Sequence, residues 1–204
     1  MIEWSDVHLE MRAALRKFVD TEVRPHRQRL DAGAPPYELL RCMYKTFGLA
    51  EAAAERFDST ASGQPSDDGN DPETRAVLGL LPLIELSRCS PGMVTALGVS
   101  VGLTAHAILT QGTAEQRRCW ARDLLTLDKI GAWAITESTS GSDAFGGMRT
   151  LARPSGDGWV LSGSKTFITN GPYADTLVVI ARIDDGGPAD GRPVGSFVLD
   201  GDHP

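Results

Sequence analysis

Several things are scarce in this chain, and each scarcity removes a class of function. Cysteine is rare: Cys42, Cys89 and Cys119 lie far apart, odd in number and without a C-x-x-C pair. That argues against a disulfide framework and against a zinc site, and reduced thiols favour a cytoplasmic location. His8, His26 and His203 show no metal-ligand spacing either. Positive charge is in deficit, with 20 Lys and Arg against 27 Asp and Glu for a net charge of -7. A nucleic-acid binder needs clustered positive charge, so no nucleic-acid partner is expected. The opening Met1-Ile2-Glu3-Trp4-Ser5-Asp6 has no cationic start followed by an apolar core, so no secretory signal is expected.

The longest absence is of charge itself. Between Cys89 and Thr113 there is no Asp, Glu, Lys or Arg, a stretch longer than the roughly 20 residues a bilayer span needs. Thr95, Ser100, Thr104, His106 and Gln111 interrupt it, and polar groups at that density are costly in hydrocarbon. We therefore expect a buried helix, central to a bundle, with His106 as a satisfied core histidine and no membrane span.

What is present describes an α+β protein. The 204 residues are 41% hydrophobic and 23% charged, enough to bury a real core. Val7, Met11, Leu15, Phe18 and Val19 form one helical stripe, with Ser5 as N-cap and a stop at Pro25. Tyr37, Leu40, Tyr44 and Phe47 form a second, opened by Pro35-Pro36 and closed by Gly48. Residues Asp58 to Asp71 offer almost nothing to bury and are expected to form a surface loop. A third helix follows from Pro72 to Ser87, then the uncharged one from Pro91. Thr113-Ala114-Glu115-Gln116 is a capping box opening a helix to about Leu125.

After Lys129 the pattern becomes strand-like. Ala132–Ile135, Trp159–Leu161, Leu177–Ile183 and Val194–Leu199 are punctuated by Gly156-Asp157-Gly158, Gly171-Pro172 and Gly186-Gly187-Pro188. These turns imply an incomplete antiparallel sheet or barrel with an open edge. The expected division is an N-terminal all-α helical bundle over 1–129 and a partial β domain over 130–204.

The most informative run is Ala134-Ile135-Thr136-Glu137-Ser138-Thr139-Ser140-Gly141-Ser142-Asp143-Ala144-Phe145-Gly146. It joins a strand end to a small-residue loop whose N–H groups and hydroxyls suit a phosphate or another oxygen-rich ligand. About twenty residues on, Lys165-Thr166-Phe167-Ile168-Thr169-Asn170-Gly171 sets an aromatic beside a threonine, which suits a flat heteroaromatic ring. Trp133 and Trp159 read as packing residues.

In this order and spacing the two runs resemble the acyl-CoA dehydrogenase family. Ala134 to Gly146 fits every constrained position of that family's signature. Gly112-Thr113-x-Glu115-Gln116 resembles its helix start, and Lys165 to Gly171 its Lys-x-aromatic-Ile-Thr-Asn-Gly segment. The resemblance implies FAD binding by Trp133, Ile135, Thr136, Gly141, Ser142, Phe167, Ile168 and Thr169. Thr136 would meet the pyrimidine edge, Phe167 would flank the isoalloxazine ring and Thr169 would approach flavin N5. Ser142 would serve both the pyrophosphate and the substrate. Glu137 and Asp143 would shape the loop rather than catalyse.

The implied activity is α,β-dehydrogenation of an acyl thioester, on coenzyme A or acyl-carrier protein, by a homo-oligomer (dimer or tetramer) passing electrons to an external acceptor. In the family the proton-abstracting glutamate belongs to a C-terminal helical domain, and no residue here matches it. No catalytic residue is therefore assigned, and this chain alone is expected to be inactive. A related flavin-dependent oxidase or monooxygenase, or a non-catalytic partner subunit or remnant, are the alternatives. Ser138, Ser140 and Phe167 depart from the family's usual Pro, Ala and Trp; the two serines are expected to soften the loop.

Overall fold

The computed structural model describes residues 4–61, 72–188 and 191–201. Packing divides the chain into one unit of Met1–Gly98 with Leu125–Asp128 and another of Val99–Leu124 with Lys129–Pro204.

In the first unit, α1 (Asp6–Phe18) starts at a capping box in which the Ser5 hydroxyl accepts from His8 N and His8 Nδ1 accepts from Ser5 N. The stripe is shifted from the expected one. Val7 is exposed while His8, Leu15, Phe18 and Val19 are buried. The helix does not stop at Pro25. It loosens into a π turn, Val19–Val23, and a 3-10 turn, Arg24–His26, whose second residue is that proline, and continues as α2 (Arg27–Asp31). Proline tolerates the first turn of a helical segment, where its missing N–H has no partner to lose.

Next come α3 (Tyr37–Thr46), ending at Gly48 with φ of 63°, and α4 (Leu49–Ala61). Residues 58–61 are thus helical, not loop. Leu49-Ala50-Glu51-Ala52-Ala53-Ala54-Glu55-Arg56 is a run of strong helix formers that carries the helix into the polar stretch. The rest of the expected loop, 62–71, lies outside the described residues.

α5 (Pro72–Ser87) packs on α1 and buries Val77, Leu81 and Leu86. Phe18 meets Phe47 edge-on at 5.7 Å. Arg41 Nε donates to the Leu127 carbonyl at 2.8 Å and fixes that buried leucine at a φ of 64°.

The uncharged segment is helical throughout Pro91–Gln111: α6 (Pro91–Leu97), a π stretch (Gly98–Ala105) and α7 (His106–Gln111). By length and composition it could cross a membrane, and 39% of its apolar window is buried within the molecule. It is less enclosed than the sequence suggests: Leu103 and His106 are exposed, so His106 is not a core residue. Uncharged residues on both faces cannot reveal which face packs.

Thr113 and Gln116 form the expected capping box at α8 (Ala114–Gln116) in the second unit, and the helix continues through a π turn to α9 (Arg122–Thr126), whose last two residues count with the first unit. Five strands follow: β1 (Gly131–Ala134), β2 (Leu151–Ser155), β3 (Gly158–Ser162), β4 (Thr176–Ile183) and β5 (Val194–Asp200). β2 was not among the expected strands, and it carries Pro154, which lacks the N–H of a ladder donor. Its pairing with β3 through Gly156-Asp157 recruits it.

The sheet is mixed rather than purely antiparallel. β2–β3 and β4–β5 are antiparallel, while β4 runs parallel to β1 (Gly131↔Thr176 to Ala134↔Val179) and to the start of β2. The long excursion between β1 and β4 lets the chain return in the same direction, which a hairpin cannot do.

Candidate functional site

Both signature runs lie in the second unit, at the end of β1. The root of that strand is fixed from the π stretch. Gly131 N donates to Ser100 Oγ at 2.9 Å, and a Cβ on Gly131 would lie 2.8 Å from the Thr104 side chain. Only glycine permits that approach. The π geometry makes it possible by letting Thr104 Oγ1 donate back to the Val99 carbonyl at 2.9 Å.

Beyond Ala134 the chain leaves the sheet and is gripped by Glu137. This carboxylate is buried and accepts from Arg149 N (2.8 Å), Thr150 N (2.9 Å), Thr150 Oγ1 (2.5 Å) and Lys165 Nζ (2.8 Å). Burial alone would raise its pKa, but the bonds from Lys165, Thr150 and the two backbone N–H groups outweigh that and hold it at about 2. Lys165 also donates to the Ile135 carbonyl at 2.9 Å, and Thr166 N donates to the Thr136 carbonyl at 2.9 Å. Three segments, 135–137, 149–150 and 165–166, thus meet at one buried ion pair.

The second run holds its shape by strain as well as bonding. Asn170, buried at a φ of 67°, donates its amide to the Gly131 carbonyl at 2.9 Å. Phe167 has a φ of 54° and is 92% exposed. An aromatic residue in the left-handed region costs free energy, and such outliers concentrate where ligands bind.

The structure therefore brings Ile135 and Thr136 against the residues just before Phe167, with Trp133 half-buried one step back on β1. Ile168 and Thr169 are half-buried beside Phe167. Gly141 and Ser142 are exposed in the turn after Glu137, and among the described residues no hydrogen bond ties them to the second run.

Ser140 does not soften that turn. Its backbone exchanges two 3.1 Å bonds with Glu137, and its buried hydroxyl donates to the Asp143 carbonyl. Asp143 Oδ1 in turn accepts from Gly146 N at 3.0 Å. Trp159, taken as packing, is half exposed and meets Phe197 edge-on at 5.4 Å.

Sequence reasoning missed Arg182. Its guanidinium donates to the carbonyls of Phe145 (2.5 Å), Met148 (3.2 Å) and Arg192 (3.1 Å), so β4 tethers the far end of the loop. The signal was available: it is the one charged residue in the strand Thr176–Ile183. Thr150 gave no such signal, because its bond to Glu137 spans 13 residues.

A helical region followed by a sheet, with two bonded loops at the end of its first strand, is the arrangement that the resemblance to acyl-CoA dehydrogenases implies. The comparisons agree. Residues 132–204 match the family described as acyl-CoA dehydrogenase, middle domain. The chain is 31% identical over 183 residues to a mitochondrial short-chain specific acyl-CoA dehydrogenase of Bos taurus, covering 90% of this chain and 42% of the other. An acyl-CoA dehydrogenase structure from Geobacillus kaustophilus superimposes with a TM-score of 0.78 at 28% identity, over 98% of this chain and 49% of that one. One from Bacillus anthracis, complexed with FAD, gives 0.76 at 28% identity, over 98% and 32%. Over the residues they share, the chain is similar to acyl-CoA dehydrogenases, and residues 132–204 carry the pattern of that family's middle domain. It spans about half the length of the curated relatives it matches.

Proposed function

We propose that the two loops bind FAD and that the protein takes part in α,β-dehydrogenation of an acyl thioester, with electrons passed to an external acceptor. The observation that carries this is Phe167, an exposed aromatic held at positive φ beside a loop whose backbone is already fixed. The residues present fit the group. Glu137 is neutralised by Lys165, so this buried carboxylate does not oppose a pyrophosphate at Gly141 and Ser142, and Asp143 Oδ1 is engaged by Gly146 N. The FAD complex of the Bacillus anthracis relative supports the same assignment.

In this reading Trp133, Ile135 and Thr136 line one side of the ring, with the Thr136 hydroxyl toward the pyrimidine edge. Phe167 covers a face, and Ile168 and Thr169 bring a hydroxyl near N5. Ser142 serves the pyrophosphate and the substrate. When bound, the flavin supplies a two-electron acceptor for the substrate's β-hydride. The α-proton needs a base, and Glu137 is a poor one because four donors already occupy its oxygens and it titrates near 2.

We infer that the 204-residue chain alone holds flavin without turning over acyl thioesters. The same reading takes 1–129 as helical domain and 130–204 as β domain of a cytoplasmic homo-oligomer. FAD titration of the purified chain, followed by flavin fluorescence, tests the binding. Saturable quenching that Thr136→Val and Ser142→Ala weaken supports it, and absence of quenching refutes it. Dye reduction by the FAD-loaded chain with butyryl-CoA would overturn the inference of inactivity.

A further inference from the structure

The first unit holds a cluster that the flavin reading does not use. Glu85 on α5 is wholly buried and is met by three guanidinium groups. Arg12 Nε donates to Oε1 at 2.9 Å, Arg16 Nε and Nη2 to Oε2 and Oε1 at 3.0 Å each, and Arg88 Nη1 to Oε2 at 2.8 Å. Four donors occupy the two carboxylate oxygens, so Glu85 accepts nothing more. Both terminal amino groups of Arg12, Nη1 of Arg16, and Nε and Nη2 of Arg88 are left with no acceptor among the described residues.

One guanidinium would suffice to neutralise one buried carboxylate. The second and third leave a surplus of positive charge in a chain whose net charge is -7. Arg12 and Arg16 stand one turn apart on α1, a like-charge spacing against which Glu85 supplies a single negative charge. They are also pre-set in orientation: Glu85 fixes one edge of each, and the Trp4 ring, 5.4 Å from the Arg12 guanidinium carbon, braces the other side.

A groove of ≈ 500 Å³ runs along this face of α1, lined by Arg12, Arg16 and Lys17 together with Leu9 and Ala13. The carboxylate among its described lining residues, Asp20, is taken by Arg24 at 2.5 Å. The side chains of Arg12, Arg16 and Arg88 are 34%, 42% and 42% exposed, so their outer edges face solvent.

We propose that this groove is a binding site for a multiply charged oxyanion on a small soluble molecule, a phosphate or polycarboxylate group. Arg12 and Arg16 bind it through paired N–H donors and Lys17 supplies a third charge. A planar guanidinium held by its inner edge presents its outer edge as a ready fork for such an oxyanion.

The probes are pyrophosphate and citrate, titrated calorimetrically into the flavin-free 204-residue chain at constant ionic strength. Arg16→Gln removes the best-held guanidinium. Lys17→Gln removes a charge that takes no part in the Glu85 cluster, so it tests the groove without loosening the helices.

Saturable binding weakened about tenfold or more by both substitutions supports the site. Pyrophosphate alone marks a phosphate ligand, and citrate alone a carboxylate one. No saturable heat with either anion overturns the proposal. So does binding that survives Lys17→Gln unchanged but falls in Ser142→Ala, because that anion sits at the proposed flavin loop. Neither result for the groove depends on whether the chain binds flavin.

Discussion

Two buried glutamates, one in each unit, solve the same electrostatic problem by different means. Glu85 is met by two arginines of α1 and one in the turn after α5, and Glu137 by one lysine, one hydroxyl and two backbone N–H groups. Both end at about 2 from an ordinary 4.5: burial pushes each up, and the donors around it push it down further. The difference lies in what the partners leave over. Arginine heads half in solvent leave a charged surface, while Lys165, 9% exposed, leaves none. The first arrangement ties helices together and spills charge outward. The second spends every donor on the course of a loop.

Removing each carboxylate should break that parallel most plainly. Glu137→Ala strands a buried ammonium and three further donors, and we expect a loss of about 3–5 kcal/mol. Glu85→Ala strands only arginines that can turn to water, and about 1–3 kcal/mol is expected. Urea unfolding of both variants checks the order. Equal losses would mean that the arginine cluster is as dry as the lysine pair. Flavin affinity should collapse in Glu137→Ala and stay unchanged in Glu85→Ala.

That asymmetry bears on what the sequence could reveal. Caps and turn residues were legible because they act within a few positions: Ser5, Thr113 with Gln116, and Gly48 each stand where their local chemistry puts them. The two loops were legible because their glycines, hydroxyls and aromatic form a fixed pattern. Glu85 was not. A glutamate next to Leu86 reads as a solvent-facing break in an apolar stripe, and Arg12 and Arg16 are 73 and 69 residues away. β2 was hidden behind Pro154 for the same reason, since its partner strands and not its own residues make it a strand.

Acid titration should sharpen the comparison by a smaller amount. For a carboxyl whose folded pKa is depressed, the stabilisation is complete above the unfolded value near 4.5 and drains away as pH falls toward 2. Both glutamates therefore predict unfolding that steepens below about pH 4.5. Glu85→Gln and Glu137→Gln should each flatten part of that dependence in pH-dependent urea midpoints, with the double variant flattest. A single variant that abolishes the slope would show that one pair carries it all.

The smallest effect is expected at Phe167, where stability and binding should separate. Its side chain is almost wholly exposed and its backbone sits at a φ that glycine adopts freely. Phe167→Gly should therefore leave urea stability within about 0.5 kcal/mol of the parent, or raise it slightly. The same change should weaken flavin binding, because the ring contributes contact area only when a ligand lies against it. Phe167→Trp tests the opposite direction. A larger aromatic face adds about 0.5–1 kcal/mol of stacking, or roughly two- to fivefold in affinity. Were Phe167→Gly to destabilise the chain without touching flavin affinity, the exposed ring would be covering protein rather than cofactor, and the strain at this residue would need another cause.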